Sequence, residues 1–491
     1  MCPSHLILRR GLTWCGTYEG NRRITSITTL SDDVLLDIFH FYKNDQDSSI
    51  CPVWTWHILV HVCQRWRQVV FASPQDLKLQ IFCTYGTPVR KNLGIWPALP
   101  IVLDYSYVDT TTLNYGNIIA ALEHPDRVCS VQLNVTASQL RKLVTAMQKP
   151  FPVLTHLSIV TWDPNGHAPS HVPVLSAEFL GGSAPRLQQF TLNCVPFPSL
   201  PTFLLSTNAL VKLDLLNIPQ NGSFSPKAMV ACLAALPKLD TLSMVFQCAP
   251  RRANPNRICP PPVTQTFLPA LTDFRFHGAS EYLEDLVPHI SSPQLKWIYV
   301  QFLDQPAGVP QLAKFIDRSM GPDPFRRVDV SFKRRLVALA LYRHEDHAFR
   351  DPHPAQTTFC QHVLDAYDVS HVAQVFSQFS DTLSNILHVR LWADPDAGSE
   401  LEGTDGNEWL HLLRGFSNMQ TLYVSQTLAS DVARALEDIT TATEALPSVN
   451  LICLEDQPAS SVEKFVAARR LADRPVTIID TEAEYDRVAR Q

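Results

Sequence analysis

Apolar residues recur at helical spacing close to the beginning of the chain, at Val34, Leu35, Ile38, Phe39 and Tyr42. Ser31 precedes this stretch, and its hydroxyl can cap the free amide groups of a first helical turn, where Asp32 and Asp33 also suit the helix dipole. With Ser31 as the N-cap, Leu30 and Leu35 have the spacing of a hydrophobic staple. The pattern therefore predicts a short amphipathic helix that begins directly after Ser31.

A second apolar stripe follows a polar segment at residues 43–49. Its members recur at helical spacing and are Trp54, Trp56, Ile58, Leu59, Val62, Cys63, Trp66, Val69 and Val70. Pro74 ends the stripe because proline cannot continue a helix. We therefore expect one longer second helix. Two helices of this size cannot bury such apolar faces against each other alone, so they need a partner or the rest of the chain.

A different pattern, in which apolar and polar residues alternate, recurs from about residue 126 onward. Most copies begin at a proline or asparagine turn and continue as a short alternating stretch. The leucines of six copies follow one another at intervals of 33, 23, 29, 32 and 24 residues, by subtraction of their numbers, and are Leu154, Leu187, Leu210, Leu239, Leu271 and Leu295. Recurrence of this kind indicates a repeat architecture.

Helical patterns lie between these alternating stretches, for example at residues 225–236 and 280–290. The repeated succession of strand and helix predicts an α/β fold in which the repeats stack as an αβ solenoid. A doubly wound sheet is the alternative, but about ten units are too many for one compact core. Residues 331–371 interrupt the spacing and have no assigned place, although Arg334–Leu341 forms a candidate strand.

The first two stretches resemble the F-box family in two motifs. Leu30-Ser31-Asp32-Asp33 matches its Leu-Pro-x-Glu-type helix start with serine in place of proline, and Val62-Cys63-Gln64-Arg65-Trp66-Arg67 matches its Val-Cys-x-x-Trp-Arg-type stretch. The later Leu-x-x-Leu-x-Leu skeleton resembles leucine-rich repeats whose asparagine position is poorly kept, and the combination is similar to fungal F-box proteins with degenerate repeats. A helical hairpin that packs only on the rest of the chain is the alternative.

The resemblance implies a small helical N-terminal F-box module followed by a leucine-rich-repeat-like αβ solenoid. The expected parts are an N-terminal extension at 1–25, the F-box-like module at 26–75, a linker with capping strands at 76–125, the solenoid at 126–480 and a C-terminal tail at 481–491.

The same resemblance implies the substrate-recognition subunit of a cullin-type E3 ubiquitin ligase. A Skp-type adaptor would bind the module, and the repeats would bind an unknown protein substrate. The adaptor contacts and their supporting core would be Leu30, Leu35, Ile38, Phe39, Val62, Cys63, Trp66 and Val69. Two alternatives stay open: a protein-interaction scaffold outside the ubiquitin system, and an enzyme whose site is assembled from distant residues, for which no motif exists.

Composition adds limits to this interpretation. The chain has 491 residues with a formal net charge of −6, which disfavours nucleic acid as a partner. The short apolar stretch at residues 6–8 is too brief for a signal peptide, and no long apolar run predicts a membrane span. Twelve cysteines lack any Cys-x-x-Cys pair, which is typical of a reducing compartment. We therefore expect a cytoplasmic or nuclear protein that uses no cofactor.

Four clusters of polar residues are candidate sites. His57, His61 and Cys63 lie close together in sequence, and a second group contains His344, Asp346, His347, Asp351 and His353; for neither do we expect a metal. The acidic stretch at 394–405 lacks the glycine and glutamate spacing of a calcium loop and is interpreted as a solvated loop. Arg251, Arg252 and Arg257 could bind an acidic motif, although a solvated loop is the default. Catalytic motifs are absent from the sequence.

Overall fold

The computed structural model describes most of the chain in fifteen stretches. They are residues 29–44, 55–84, 89–106, 115–163, 172–176, 178–197, 202–248, 265–303, 306, 308–321, 323–343, 355–362, 369–401, 404–457 and 462–480. The chain divides into two compact units, Met1–Gln80 and Ile81–Gln491. The N-terminal unit is called the helical unit below, and the C-terminal unit is called the repeat unit.

Within its described residues, the helical unit consists of α1 (Asp32–Asn44), α2 (Thr55–Val62) and α3 (Gln64–Ala72). Helix α1 begins where the sequence predicts. The Ser31 hydroxyl accepts from the Val34 amide at 3.4 Å, and the Leu35 amide donates to the Ser31 carbonyl at 3.1 Å. Asp32 and Asp33 occupy its first turn, next to the positive end of the helix dipole. The serine thus provides the cap without help from a proline.

The prediction of a single second helix is wrong, because the helix is interrupted at Cys63. This residue has an extended backbone (φ −156°, ψ 170°), and its Sγ accepts from the Trp66 amide at 3.4 Å. Cys63 therefore acts as the N-cap of α3, with a sulfur in place of the usual oxygen. The apolar stripe is distributed over two helices that pack against each other.

The core of the helical unit is built from the buried side chains of all three helices, with Leu35, Phe39, Trp56, Leu59, Val60, Val69 and Val70 as its apolar members. The rings of Phe39 and Trp66 lie 4.8 Å apart and link α1 to α3. The Trp56 indole donates to the Gln80 carbonyl at 3.1 Å, and Arg65 pairs with Asp32 at 2.8 Å. These contacts hold three short helices that would be marginal alone.

Sixteen strands form one sheet in the described part of the repeat unit, and two more form a small parallel pair. The large sheet contains β1 (Ile81–Cys83), β2 (Ile101–Tyr105), β3 (Val128–Thr136), β4 (His156–Trp162), β5 (Gln189–Asn193), β6 (Lys212–Ile218), β7 (Thr241–Phe246), β9 (Asp273–Gly278), β11 (Trp297–Phe302), β12 (Arg327–Lys333), β13 (Leu336–Tyr342), β14 (Thr357–His362), β15 (His388–Ala393), β16 (Thr421–Val424), β17 (Leu451–Leu454) and β18 (Thr477–Ile479). The small pair is β8 (Thr266–Phe267) with β10 (Ile290–Ser291).

Helices connect most of these strands. They are α4 (Val89–Ile95), α5 (Tyr115–Leu122), α6 (Ala137–Ala146), α7 (Thr202–Leu205), α8 (Pro226–Leu233), α9 (Ser280–Leu286), α10 (Pro310–Ser319), α11 (Val369–Phe376), α12 (Ser380–Leu383), α13 (Pro395–Leu401), α14 (Gly406–Arg414), α15 (Gln426–Ala435), α16 (Ile439–Ala445) and α17 (Glu463–Leu471). Short 3-10 turns occur at Phe179–Gly182, Gln220–Gly222, Val287–His289 and Ser377–Phe379. The expected loop at 394–405 is wrong in part, because Pro395–Leu401 is helical.

Strand order follows chain order from β1 to β11 within the large sheet, apart from the separately paired β8 and β10, and each of these strands pairs in parallel with the next. The sheet already includes β1 and β2, in the segment expected to hold capping strands. Alternate side chains of the strands are buried, and the six repeat leucines are buried as well. This mixed α/β architecture with a large parallel sheet is consistent with a leucine-rich-repeat-like fold.

An aromatic row runs through the repeats. Consecutive rings have centroids 5.3–6.4 Å apart, and the row consists of Phe190, Phe197, Phe224, Phe246, Phe276, Phe302 and Phe359. We call it the phenylalanine row. It links neighbouring repeats through ring contacts.

The segment that interrupted the repeat spacing is a β-hairpin. Strands β12 and β13 pair in antiparallel fashion through a two-residue turn at Arg334 and Arg335, and β14 pairs with both β13 and β11. The local strand order becomes β11-β14-β13-β12-β15. Strand β13 is antiparallel to all the remaining strands of the large sheet. Because β12 and β15 are parallel, the repeat pattern resumes after the hairpin.

Candidate functional site

The helical unit leaves several large apolar side chains exposed. They are Val34, Ile38 and Phe41 on α1, and Ile58 and Val62 on α2, with exposed fractions between 40 and 73%. Residues spaced by three or four positions share one face of a helix, so each helix presents an apolar stripe on a different face from its buried residues. Exposed apolar stripes of this kind are typical of protein-binding surfaces.

The eight residues predicted for adaptor binding occupy two environments. Leu35, Phe39 and Val69 are buried and belong to the core. Ile38, Val62 and Cys63 are exposed, and Leu30 and Trp66 are partly buried. The sequence pattern did not separate these groups, and it missed the exposed Phe41 and Ile58. A helical wheel anchored on Leu35 and Phe39 would have placed Ile38 and Phe41 outside the core.

The neighbouring histidines of α2 do not form a metal site with Cys63. The sulfur of Cys63 already accepts the Trp66 amide, and no group of three metal-binding side chains exists among the described residues. Burial, aided by the nearby His61, lowers the pKa of His57 to about 4. His57 is therefore neutral at physiological pH and packs against the Trp56 ring at 4.0 Å.

Two other polar clusters from the sequence lie outside the described residues. These are the group of His344, Asp346, His347, Asp351 and His353, and the group of Arg251, Arg252 and Arg257. The described part of the repeat unit contains a different candidate, a concavity of about 680 Å³ on the large sheet. It is lined by residues of β6, β7, β9, β11 and β14, among them Ser243, Asp273, Arg275, Trp297, Tyr299 and Thr358.

Strand register brings these side chains together. Ser243, Arg275, Tyr299 and Thr358 are lateral neighbours on four adjacent strands. Asp273 and Trp297 form the next cross-strand pair. Small side chains on the outer strands therefore flank two large aromatic rings in the middle, which produces the concavity. We call this area the sheet-face site.

The polar groups of the sheet-face site have defined partners. The Arg275 guanidinium donates to both carboxylate oxygens of Asp273, at 3.1 and 2.8 Å, and this raises the pKa of Arg275. The Tyr299 hydroxyl donates to Gln301 Oε1 at 3.0 Å, and burial raises the pKa of Tyr299 to about 12. The site thus presents a compensated ion pair and a neutral phenol, an arrangement suited to binding rather than to proton transfer.

Sequence reasoning assigned Trp297 and Tyr299 only to a repeat strand. The signal that could have found them is their place at the outward positions of an alternating strand, where a solvated repeat would carry small polar residues. Arg, Trp and Tyr are the residue types that dominate the energetics of protein interfaces. Their convergence on one face makes this the strongest binding candidate in the described part of the repeat unit.

Comparisons with known proteins do not identify a family for the chain. No protein-family model matches the chain, and no curated protein matches it. Among solved structures, the chain is similar to an LRR protein of Leptospira interrogans, LIC12759, at 12% identity over 82% of this chain and 91% of that one, with a TM-score of 0.26. In the part of the chain that is described, the helices are too short or too polar to cross a membrane.

Proposed function

We propose that this chain is a substrate receptor of a cullin-type E3 ubiquitin ligase. The helical unit would bind a Skp-type adaptor, and the repeat unit would hold a target protein for ubiquitin transfer by other subunits. The proposal rests on the F-box-like motifs at Leu30–Leu35 and Val62–Arg67 and on the exposed apolar stripes of α1 and α2.

The exposed stripes carry this proposal. Helices that dock into a partner groove use apolar anchors at spacings of three, four and seven residues. Val34, Ile38 and Phe41 have these spacings on α1, and Leu35 and Phe39 are buried on an adjacent face. The module would thus keep its fold through one face and offer the other to the adaptor.

The target would bind at the sheet-face site. Trp297 and Tyr299 would contact an apolar side chain of the target, and the exposed part of Arg275 would orient a polar group beside it. A protein-interaction scaffold outside the ubiquitin system would use the same site without the adaptor. The two functions therefore differ in what the helical unit binds.

The test is a pull-down of purified full-length chain with a purified Skp-type adaptor. The double variant Ile38→Asp with Val62→Asp changes two exposed residues, so the unit should stay folded while adaptor binding falls by at least about thirtyfold, or about 2 kcal/mol. The matched control is Val211→Asp with Leu471→Asp, two exposed apolar residues of the repeat unit. Absence of binding by the unmodified chain would favour the scaffold, and unchanged binding by the double variant would disprove these contacts.

A further inference from the structure

The hairpin that interrupts the repeats carries a basic tip. Lys333 ends β12, Arg334 and Arg335 form the turn, and all three side chains are exposed. Because β12 is parallel to β15, this turn lies at the edge of the sheet where the parallel strands end. Three consecutive cations thus project from one edge of a chain whose formal net charge is −6.

The two arginines of the tip have no hydrogen bond or ion pair with any described residue. At the other end of β12, Arg327 differs, since it donates to both carboxylate oxygens of Asp329, at 2.9 and 2.8 Å. The Lys333 ammonium lies 5.2 Å from the centre of the Trp392 ring, which restricts its direction. Asp394 is a residue with a carboxylate next to the end of β12, since its amide donates to the Phe332 carbonyl at 2.9 Å. Because the guanidinium groups of Arg334 and Arg335 pair with no described carboxylate, the tip is positive.

The backbone of the tip is strained. Arg335 has φ +59°, a left-handed conformation that turns usually assign to glycine or asparagine. Glycine would relax this position, so the chain keeps an arginine side chain at a cost in conformational energy. Strain that persists at an exposed charged turn points to a role for the side chain.

We propose that the basic tip binds an acidic segment of a partner protein, with the guanidinium groups of Arg334 and Arg335 each paired to carboxylates. Paired donors of arginine match the two oxygens of a carboxylate, and the same chemistry would accept phosphorylated serine. The partner is taken to be a protein because of the function proposed above. Strand β14 connects the sheet-face site to the tip. Thr358 lines the sheet-face site, and His362 lies beside Leu336, the first residue after the turn. At about 3.3 Å per residue, one extended segment of about five residues could contact both.

The test measures direct binding to the full-length chain without adaptor, so that this proposal and the proposed function can fail separately. The probe is a fluorescein-labelled peptide of eight glutamates, followed by anisotropy at low salt, where exposed charges are least screened. Parallel probes are an eight-glutamine peptide, a peptide with phosphoserines, and a thymidine oligonucleotide of equal charge.

We expect the glutamate peptide to bind and the glutamine peptide not to bind. Removal of one tip charge should weaken binding about two- to fivefold, and the triple variant Lys333→Gln, Arg334→Gln, Arg335→Gln about tenfold or more. Arg335→Gly is the informative single variant, because it should weaken binding while raising the thermal midpoint of the repeat unit. The matched control Arg186→Gln, Lys227→Gln, Lys238→Gln removes three exposed charges elsewhere and should keep binding within twofold.

Several outcomes would overturn the proposal. Equal losses in both triple variants would show that overall charge, and not the tip, attracts the peptide. Tighter binding of the oligonucleotide than of either peptide would assign the tip to nucleic acid. No binding of the glutamate and phosphoserine peptides would remove the acidic segment as a ligand. A preference for the phosphoserine peptide over glutamate would support the proposal and name phosphate as the preferred anion.

Discussion

The helical unit and the repeat unit bury their apolar residues to different extents. Five large apolar side chains are exposed in the described helical unit, on α1 and α2 alone, whereas seven are exposed over the much longer described repeat unit. A small unit has too little interior to enclose all of its apolar surface, while stacked repeats enclose theirs between neighbours. Exposure in the helical unit is therefore the basis of the adaptor-binding face proposed above, and burial in the repeat unit indicates cooperative packing.

The largest expected effect comes from the phenylalanine row. Phe246 is buried and lies between Phe224 and Phe276, with ring centroids 6.0 Å from each. Phe246→Ala leaves a cavity in the middle of the stack and should lower the free energy of unfolding by about 3–5 kcal/mol, measured by chemical denaturation. The control Phe267→Ala removes an exposed ring on β8 and should cost far less. Equal costs would show that the row does not stabilise the repeats.

Adding an atom beside the phenylalanine row should lower the free energy of unfolding less than removing a ring from it. A Cβ at Gly278 would lie 2.8 Å from Cζ of Phe276 and 2.9 Å from Cδ2 of Phe246, so Gly278→Ala forces the rings to move. We expect a loss of about 1–3 kcal/mol in the free energy of unfolding. Gly94→Ala in α4 meets no atom within 4 Å and should be neutral or stabilising. A tolerated Gly278→Ala would mean that the rings are loosely packed.

Some of these elements could be predicted from the sequence and others could not. The repeat strands could be predicted because Leu154, Leu187 and their counterparts recur within the same alternating pattern, and such alternation reflects which side chains are buried. The hairpin could not, because the reversed order of β12, β13 and β14 depends on pairing between distant strands. The break in the second helix escaped because a cysteine cap has no strong sequence signal. The sheet-face site arises from lateral neighbours 24–59 residues apart, such as Tyr299 with Arg275 and Thr358.

Acid should affect the helical unit through His57. Burial lowers its pKa from 6.5 to about 4 in the folded unit, so the unfolded chain binds the proton more readily. Stability from neutral His57 is therefore complete above about pH 6.5 and is lost as the pH falls toward 4. After allowance for partial exposure, the loss is of the order of 1–2 kcal/mol. The opening equilibrium constant of α2, obtained from hydrogen exchange after correction for intrinsic exchange rates, should rise as the pH falls over this range, and His57→Gln should abolish this dependence. An unchanged profile in the variant would exclude His57 as the cause.

The smallest effect compares one substitution at two buried tyrosines of the repeat unit. The Tyr282 ring packs against Phe246 and Phe276, and its buried hydroxyl has no hydrogen-bond partner among the described residues. Tyr282→Phe removes an unsatisfied polar group and should raise the free energy of unfolding by up to about 1 kcal/mol. The Tyr105 hydroxyl donates to the Thr84 carbonyl at 3.0 Å, so Tyr105→Phe should lower it by about 0.5–1.5 kcal/mol. If both variants lose stability equally, the Tyr282 hydroxyl has a partner, and the phenylalanine row is not purely apolar at this point.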